Sequence, residues 1–121
     1  MRYSNPFSRL LNASRYSFDG LIHALRNEQA FQYEAAVLVI LCIMILLLNV
    51  PAFRAVILIG AWLLVMCLEL GNSAVEKAFD LIDTSIRQEI KAGKDMLSLS
   101  VGIMIVFNII LWVICVCDNI G

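Results

Sequence analysis

The feature that most constrains this chain is the stretch from Met96 to Cys117, which carries no charged side chain. Crossing a bilayer's hydrocarbon takes about 20 apolar residues, so this stretch is long enough to span alone. Two shorter runs precede it: Ala35 to Val50, bounded by Glu34 and Pro51, and Ala55 to Leu68, bounded by Arg54 and Glu69. Lipid offers backbone N–H and C=O groups no partners, so apolar segments here must be helical. Snorkelling ends such as Arg54 lengthen the two short runs, and Pro51 in "LNVPAFR" suits a helix start after a tight turn. The expectation is an all-α membrane protein, a single domain over residues 1–121. Its spans lie at about 30–50, 52–70 (continuing as a cytoplasmic helix) and 96–118. With 61% hydrophobic residues and a mean hydropathy of +0.86, the chain is well above the roughly half-apolar composition of soluble domains.

Basic residues set the orientation. Arg2, Arg9, Arg15 and Arg26 precede the first span. Lys77, Arg87, Lys91 and Lys94 lie between the second and third, and only Arg54 lies between the first two. The positive-inside rule places the N-terminus and the 69–95 connection in the cytoplasm and the C-terminus outside. The opening "MRYSNPFSRLLNASRYSFDG" is too broken for a secretory signal, so the N-terminus is expected to be retained. Residues 7–26 are predicted to form an amphipathic surface helix. Phe7, Leu10, Leu11, Phe18, Leu21, Ile22 and Leu25 fall on one face, opposite Arg9, Asn12, Asp19, His23 and Arg26. The same apolar face would also serve to pack against another subunit.

The net charge of −1 gives no basic field for nucleic acid. Cys42, Cys67, Cys115 and Cys117 lack metal-ligand spacing and read as buried, reduced, space-filling thiols. His23 has no partner pattern and reads as solvated. Three spans enclose little core, and Asn108 would face lipid in a lone bundle. Ser98 and Gly102 have small-xxx-small spacing, so an oligomer is expected.

"LELGNSAVEKAFD" then raises a question, because a lipid-grade run ends on Glu69 and continues through Asn72, Ser73 and Glu76. On a helix, Glu69 and Glu76 point nearly the same way, about 10 Å apart along the axis. That is too far for both to hold one ion directly, but near the span of a polyphosphate. A helix simply surfacing would also carry carboxylates. Against that stands a cost on the order of 3 kcal/mol for charge near the membrane centre. Glu28 and Glu34 in "RNEQAFQYE" and Lys94 and Asp95 in "KAGKDM" reach the same membrane surface. Carboxylates for Mg²⁺, a lysine for phosphate and a carboxylate base are the parts phosphoryl transfer requires. Soluble nucleotide motifs, GxxxxGK[ST] or GxGxxG, are absent.

"SRLLNASRYSFDG", "NEQAFQYE", "LELGNSAVE" and "KDM" together closely resemble the prokaryotic membrane diacylglycerol kinases, over essentially the whole chain. E-x-x-N-S-A-x-E is the most specific part. The resemblance implies a homotrimer of three-span subunits that phosphorylates diacylglycerol with MgATP, yielding phosphatidate at sites shared between subunits. It further implies Glu69 as the base and Glu28 and Glu76 as Mg²⁺ ligands. Arg9, Tyr16, Glu28, Asn72, Glu76, Lys94 and Asp95 would contact ATP. Arg9, Ser17, Phe31, Glu34, Glu69, Ser98 and Trp112 would line the lipid site. The chain departs from the family pattern at Phe18-Asp19, Ile22 and Ala92-Gly93. Rival readings are an undecaprenol kinase of the same family, a small multimeric proton-coupled transporter and a non-enzymatic membrane scaffold.

Overall fold

The computed structural model describes residues 5–82 and 88–120; Arg2 and Arg87, used above for orientation, lie outside the described residues. Four helices follow one another: α1 (Pro6–Asn27), α2 (Gln29–Leu47), α3 (Ala52–Ile82) and α4 (Gln88–Ile120). The last three are long and apolar enough to cross a membrane. With 19 residues, α2 is near 28 Å long at about 1.5 Å per residue, close to the thickness of a bilayer's hydrocarbon.

Local chemistry sets where the helices begin and end. At the start of α1, Asn5 accepts from the Ser8 N–H at 2.7 Å, and Pro6 follows where a missing N–H costs nothing. A single extended residue, Glu28, separates α1 from α2 and turns the chain from one axis to the other. Its N–H donates back to the Ala24 carbonyl, and its own carbonyl accepts from Gln32, both at 3.0 Å. At the far end of α2, Asn49 takes a left-handed φ of 55°. Val50 N–H donates to Ile45 and Asn49 N–H to Leu46, the paired bonds that close a helix end around a left-handed residue. The Pro51 carbonyl then accepts the first bond of α3, from Ala55 at 2.9 Å. Pro51 therefore caps α3 rather than opening it.

Helix α3 is central and packs against both α2 and α4, while α1 touches α2. Its buried face, Leu58, Ala61, Trp62, Val65, Met66 and Glu69, recurs every three or four residues. On α4 the seam is Val101, Asn108 and Cys115, one residue every second turn. One apolar cluster joins Ala24, Phe31, Trp62, Val65, Met66 and Val101 near the acidic end; a second joins Ile45, Leu58 and Cys115 at the other. Hydrocarbon solvates the outward faces of such helices, so the seam needs specific bonds. Asn108 supplies one, its Nδ2 donating to the Ala61 carbonyl at 3.1 Å and to Met104 in its own helix at 2.8 Å.

Three sequence expectations are corrected. Asn108, expected to face lipid in a lone bundle, is 3% exposed and bonded to α3. Cysteine burial holds only for Cys115; Cys42 is half-buried, while Cys67 and Cys117 point off the seam and are exposed, all four thiols being free. Helix α4 starts at Gln88, eight residues before the charge-free run it contains, because backbone bonding continues where hydropathy does not.

Candidate active site

Glu69 sits where the buried face of α3 meets its polar extension. Glu69 and Glu34 are both 8% exposed and are neighbours. Trp62, two turns deeper on the same face of α3, donates its indole N–H to the Glu34 carbonyl at 2.9 Å. Asn72, one turn outward, lies with Nδ2 at 3.5 Å from Glu69 Oε2. Oε1 of Glu34 and Oδ1 of Asn72 are buried without a partner. Phe31, 3% exposed, forms the apolar wall next to Glu34. A carboxylate in this setting has a nearby amide to orient it and little bulk water around it.

A second group lies further out. The Glu28 carboxylate is ion-paired with Lys77, Oε1 lying 2.6 Å from Nζ, and has Ser73 beside it. The Lys77 bond holds its carboxyl below the ordinary value, against a smaller opposing effect of burial. Glu28, Ser73 and Lys77 line a cleft of about 470 Å³ together with Ser17 and His23 from α1. Glu76 is half-buried, next in sequence to Lys77.

The third group ties α4 to α3. Lys94 donates to Asp80 at 3.0 Å, and Lys91 pairs with Asp95 at 2.7 Å. Asp80 lies eleven residues beyond Glu69, roughly 16 Å along α3. Ser98 follows Lys94 by the interval at which Glu76 precedes Asp80, so in antiparallel helices Ser98 and Glu76 are level. From the membrane outward the polar groups thus climb as a ladder: Glu34 and Glu69, then Asn72, then Ser73 with Glu28, then Glu76 and Ser98, then Asp80 with Lys94.

Trp112 stands apart. It shares a cavity with Trp62 and Asn108, at least two turns deeper than Glu69. On α1, Arg9, Tyr16 and Ser17 are exposed, and only Ser17 among them lines the cleft. Sequence reasoning did not single out Trp62, Lys77 or Asp80. The only signal for Lys77 was its charge, which acquires a partner once Glu28 bends the chain toward α3.

The donor set fits a Mg²⁺ ion shared with a polyphosphate. Glu28 already carries one cation, the Lys77 ammonium, and its carboxylate makes no bond to the first turn of α2. Mg²⁺ typically takes one or two carboxylates and leaves its other positions to water and phosphate. Among the described residues, no three His, Cys, Asp or Glu side chains cluster into an all-protein metal cage.

These features define a polytopic membrane protein with an acidic site at one end of its bundle. Residues 15–116 match the family model for prokaryotic diacylglycerol kinase. A diacylglycerol kinase of Escherichia coli K12 is 35% identical over 115 residues, covering 95% of this chain and 94% of that protein. A diacylglycerol kinase of Haemophilus influenzae is 37% identical over 112 residues, 93% of this chain and 95% of its own. That of Helicobacter pylori is 35% identical over 117 residues, at 88% and 83%. The chain belongs to the prokaryotic diacylglycerol kinase family, a family of enzymes.

Proposed function

We propose that this chain transfers the γ-phosphoryl group of MgATP to the hydroxyl of 1,2-diacylglycerol, giving phosphatidate and ADP, at the cytoplasmic face of a bacterial inner membrane. The observation that carries this reading is the burial of Glu69 at the membrane end of the polar ladder. A lipid hydroxyl resides at that depth, and water-borne ATP meets the ladder from its outer end.

In the transfer, the lipid oxygen forms a bond to the γ-phosphorus as the bond from that phosphorus to the β–γ bridging oxygen breaks. Glu69 takes the hydroxyl proton, and ADP leaves with the bridging oxygen. Positioning such a base is worth about 10²–10⁴ in rate. Asn72 orients Glu69. Glu28 and Glu76 hold Mg²⁺, which neutralises charge on the phosphates. Lys94 and Asp95, with Arg9 and Tyr16 of α1, bind the nucleotide further out. Arg9, Ser17, Phe31, Glu34 and Ser98 receive the lipid head region, and Trp112, deeper, meets an acyl chain.

The apolar face of α1 lies in the membrane surface, its exposed Phe7, Leu10, Phe18 and Leu21 replacing the cover a single chain lacks. The enzyme assembles as a homotrimer.

The test is phosphate transfer from labelled ATP in mixed micelles, offering diacylglycerol and undecaprenol separately, with Glu69→Gln as control. Transfer to diacylglycerol that falls at least a hundredfold in the variant supports the reading. Preference for undecaprenol keeps the mechanism and changes the substrate. No transfer to either lipid by a folded oligomer rejects it.

A further inference from the structure

Lys77 lines the cleft beside Glu28, and the proposed chemistry gives it no part. Its ammonium lies 2.6 Å from Glu28 Oε1, on the carboxylate assigned above to the metal. Two features show that this contact is not a default of local geometry. The Lys77 side chain is 56% exposed, so water alone would solvate it. Glu28 occupies the N-cap position of α2, where unsatisfied N–H groups are available, yet its side chain makes no cap bond. The carboxylate is instead turned across to α3, linking the α1–α2 bend to the helix that carries Glu69.

An ammonium at this distance occupies one side of Oε1 and leaves fewer of the carboxylate's lone pairs for a metal, and its charge repels a divalent ion brought to the same group.

We propose that Lys77 is a resident counter-cation on Glu28 that competes with a divalent ion for this carboxylate and gives way when the ion binds, loosening the link between the α1–α2 bend and α3. This rests on the reading of Glu28 as a metal ligand. The site then stays charge-compensated before metal and nucleotide arrive, at the expense of metal affinity.

The test uses Mn²⁺ alone, without nucleotide, on the full-length protein in micelles, with free aqua-Mn²⁺ read by electron paramagnetic resonance. Lys77→Met keeps the stem and removes the charge; Lys77→Arg keeps the charge. Lys77→Met is expected to bind Mn²⁺ at least fivefold more tightly than the wild type, and Lys77→Arg within twofold of it. Glu28→Gln is expected to lose the site. A purely structural link would not tighten metal binding when removed. Equal or weaker Mn²⁺ binding in Lys77→Met, including none in either protein, overturns the proposal. If Glu28→Gln loses Mn²⁺ while Lys77→Met matches the wild type, displacement fails and the metal role of Glu28 survives. If Glu28→Gln binds Mn²⁺ as the wild type does, both fall.

Discussion

The Trp62 indole N–H donates to the backbone carbonyl of Glu34 at 2.9 Å, and this bond sets the height of α2 against α3. Trp62 and Glu69 are seven residues apart on one helix face. Fixing Glu34 to Trp62 therefore fixes Glu34 opposite Glu69. Burial gives this bond a leverage that a surface bond lacks, since no water replaces it.

Trp62→Phe keeps an aromatic ring in the cluster of Phe31, Val65 and Met66 but removes the donor. The expected loss is about 1 kcal/mol of stability, typical of one hydrogen bond, together with reduced turnover as Glu34 shifts against Glu69. Thermal melting in detergent and steady-state assays check the two effects. A melting loss with unchanged turnover would show that the height of α2 is not critical to the chemistry.

Glu76→Ala tests the outer carboxylate. If Glu76 helps hold Mg²⁺, the variant is expected to use MgATP less well at low Mg²⁺ and to recover partly when Mg²⁺ is raised. Initial rates over a Mg²⁺ series at fixed ATP check this. An Mg²⁺ dependence unchanged from wild type rejects the metal role.

Glu28 carries the pH dependence of the link between α1–α2 and α3. Its carboxyl lies below the ordinary 4.5 because Lys77 donates to it, reinforced by the charges of Lys77 and His23. A depressed carboxylate stabilises the fold above its unfolded pKa and loses that contribution as pH falls through the folded value. For so exposed a pair the contribution is about 1 kcal/mol or less. The melting difference between wild type and Lys77→Met is therefore expected to be constant from neutrality down to about pH 4.5 and to shrink below it. A difference that widens with acid would contradict the pairing.

The three apolar helices were legible in the sequence because lipid enforces helicity wherever hydropathy is sustained. The place of Glu69 at the end of the buried face of α3 was legible too, since its apolar run ends abruptly. Features made by helix against helix were not. The pairing of Lys77 with Glu28 needs the single-residue bend to be known first. Lys91 read only as a basic anchor and Lys94 as an anchor or a phosphate contact, yet each has a carboxylate partner, Asp95 and Asp80. Cys67 and Cys117 lie in apolar runs like Cys115, but hydropathy does not say which side of a helix meets protein and which meets lipid.

Gly93 is a further case, and it yields the last prediction. Glycine costs about 1 kcal/mol relative to alanine inside a helix, so its place in α4 has to have another cause. A Cβ there would lie 3.1 Å from Cζ and 3.2 Å from Cε2 of Phe79, next to the bond from Lys94 to Asp80. Gly93 thus lets α3 and α4 approach closely where the nucleotide is proposed to bind. Gly93→Ala asks the ring to yield by a few tenths of an ångström, and its helix-propensity gain offsets the crowding, so near-wild-type melting is expected. Gly93→Leu forces the helix ends apart, with an overpacking cost of about 1–3 kcal/mol, and draws Lys94 from Asp80. Its KM for MgATP is expected to rise severalfold while the KM for the lipid stays near the wild-type value, because Glu34 and Glu69 lie about three turns deeper. Lower melting with both KM values unchanged would mean that the Lys94–Asp80 contact serves only the fold; a rise in the lipid KM alone would reverse the proposed order of the ladder.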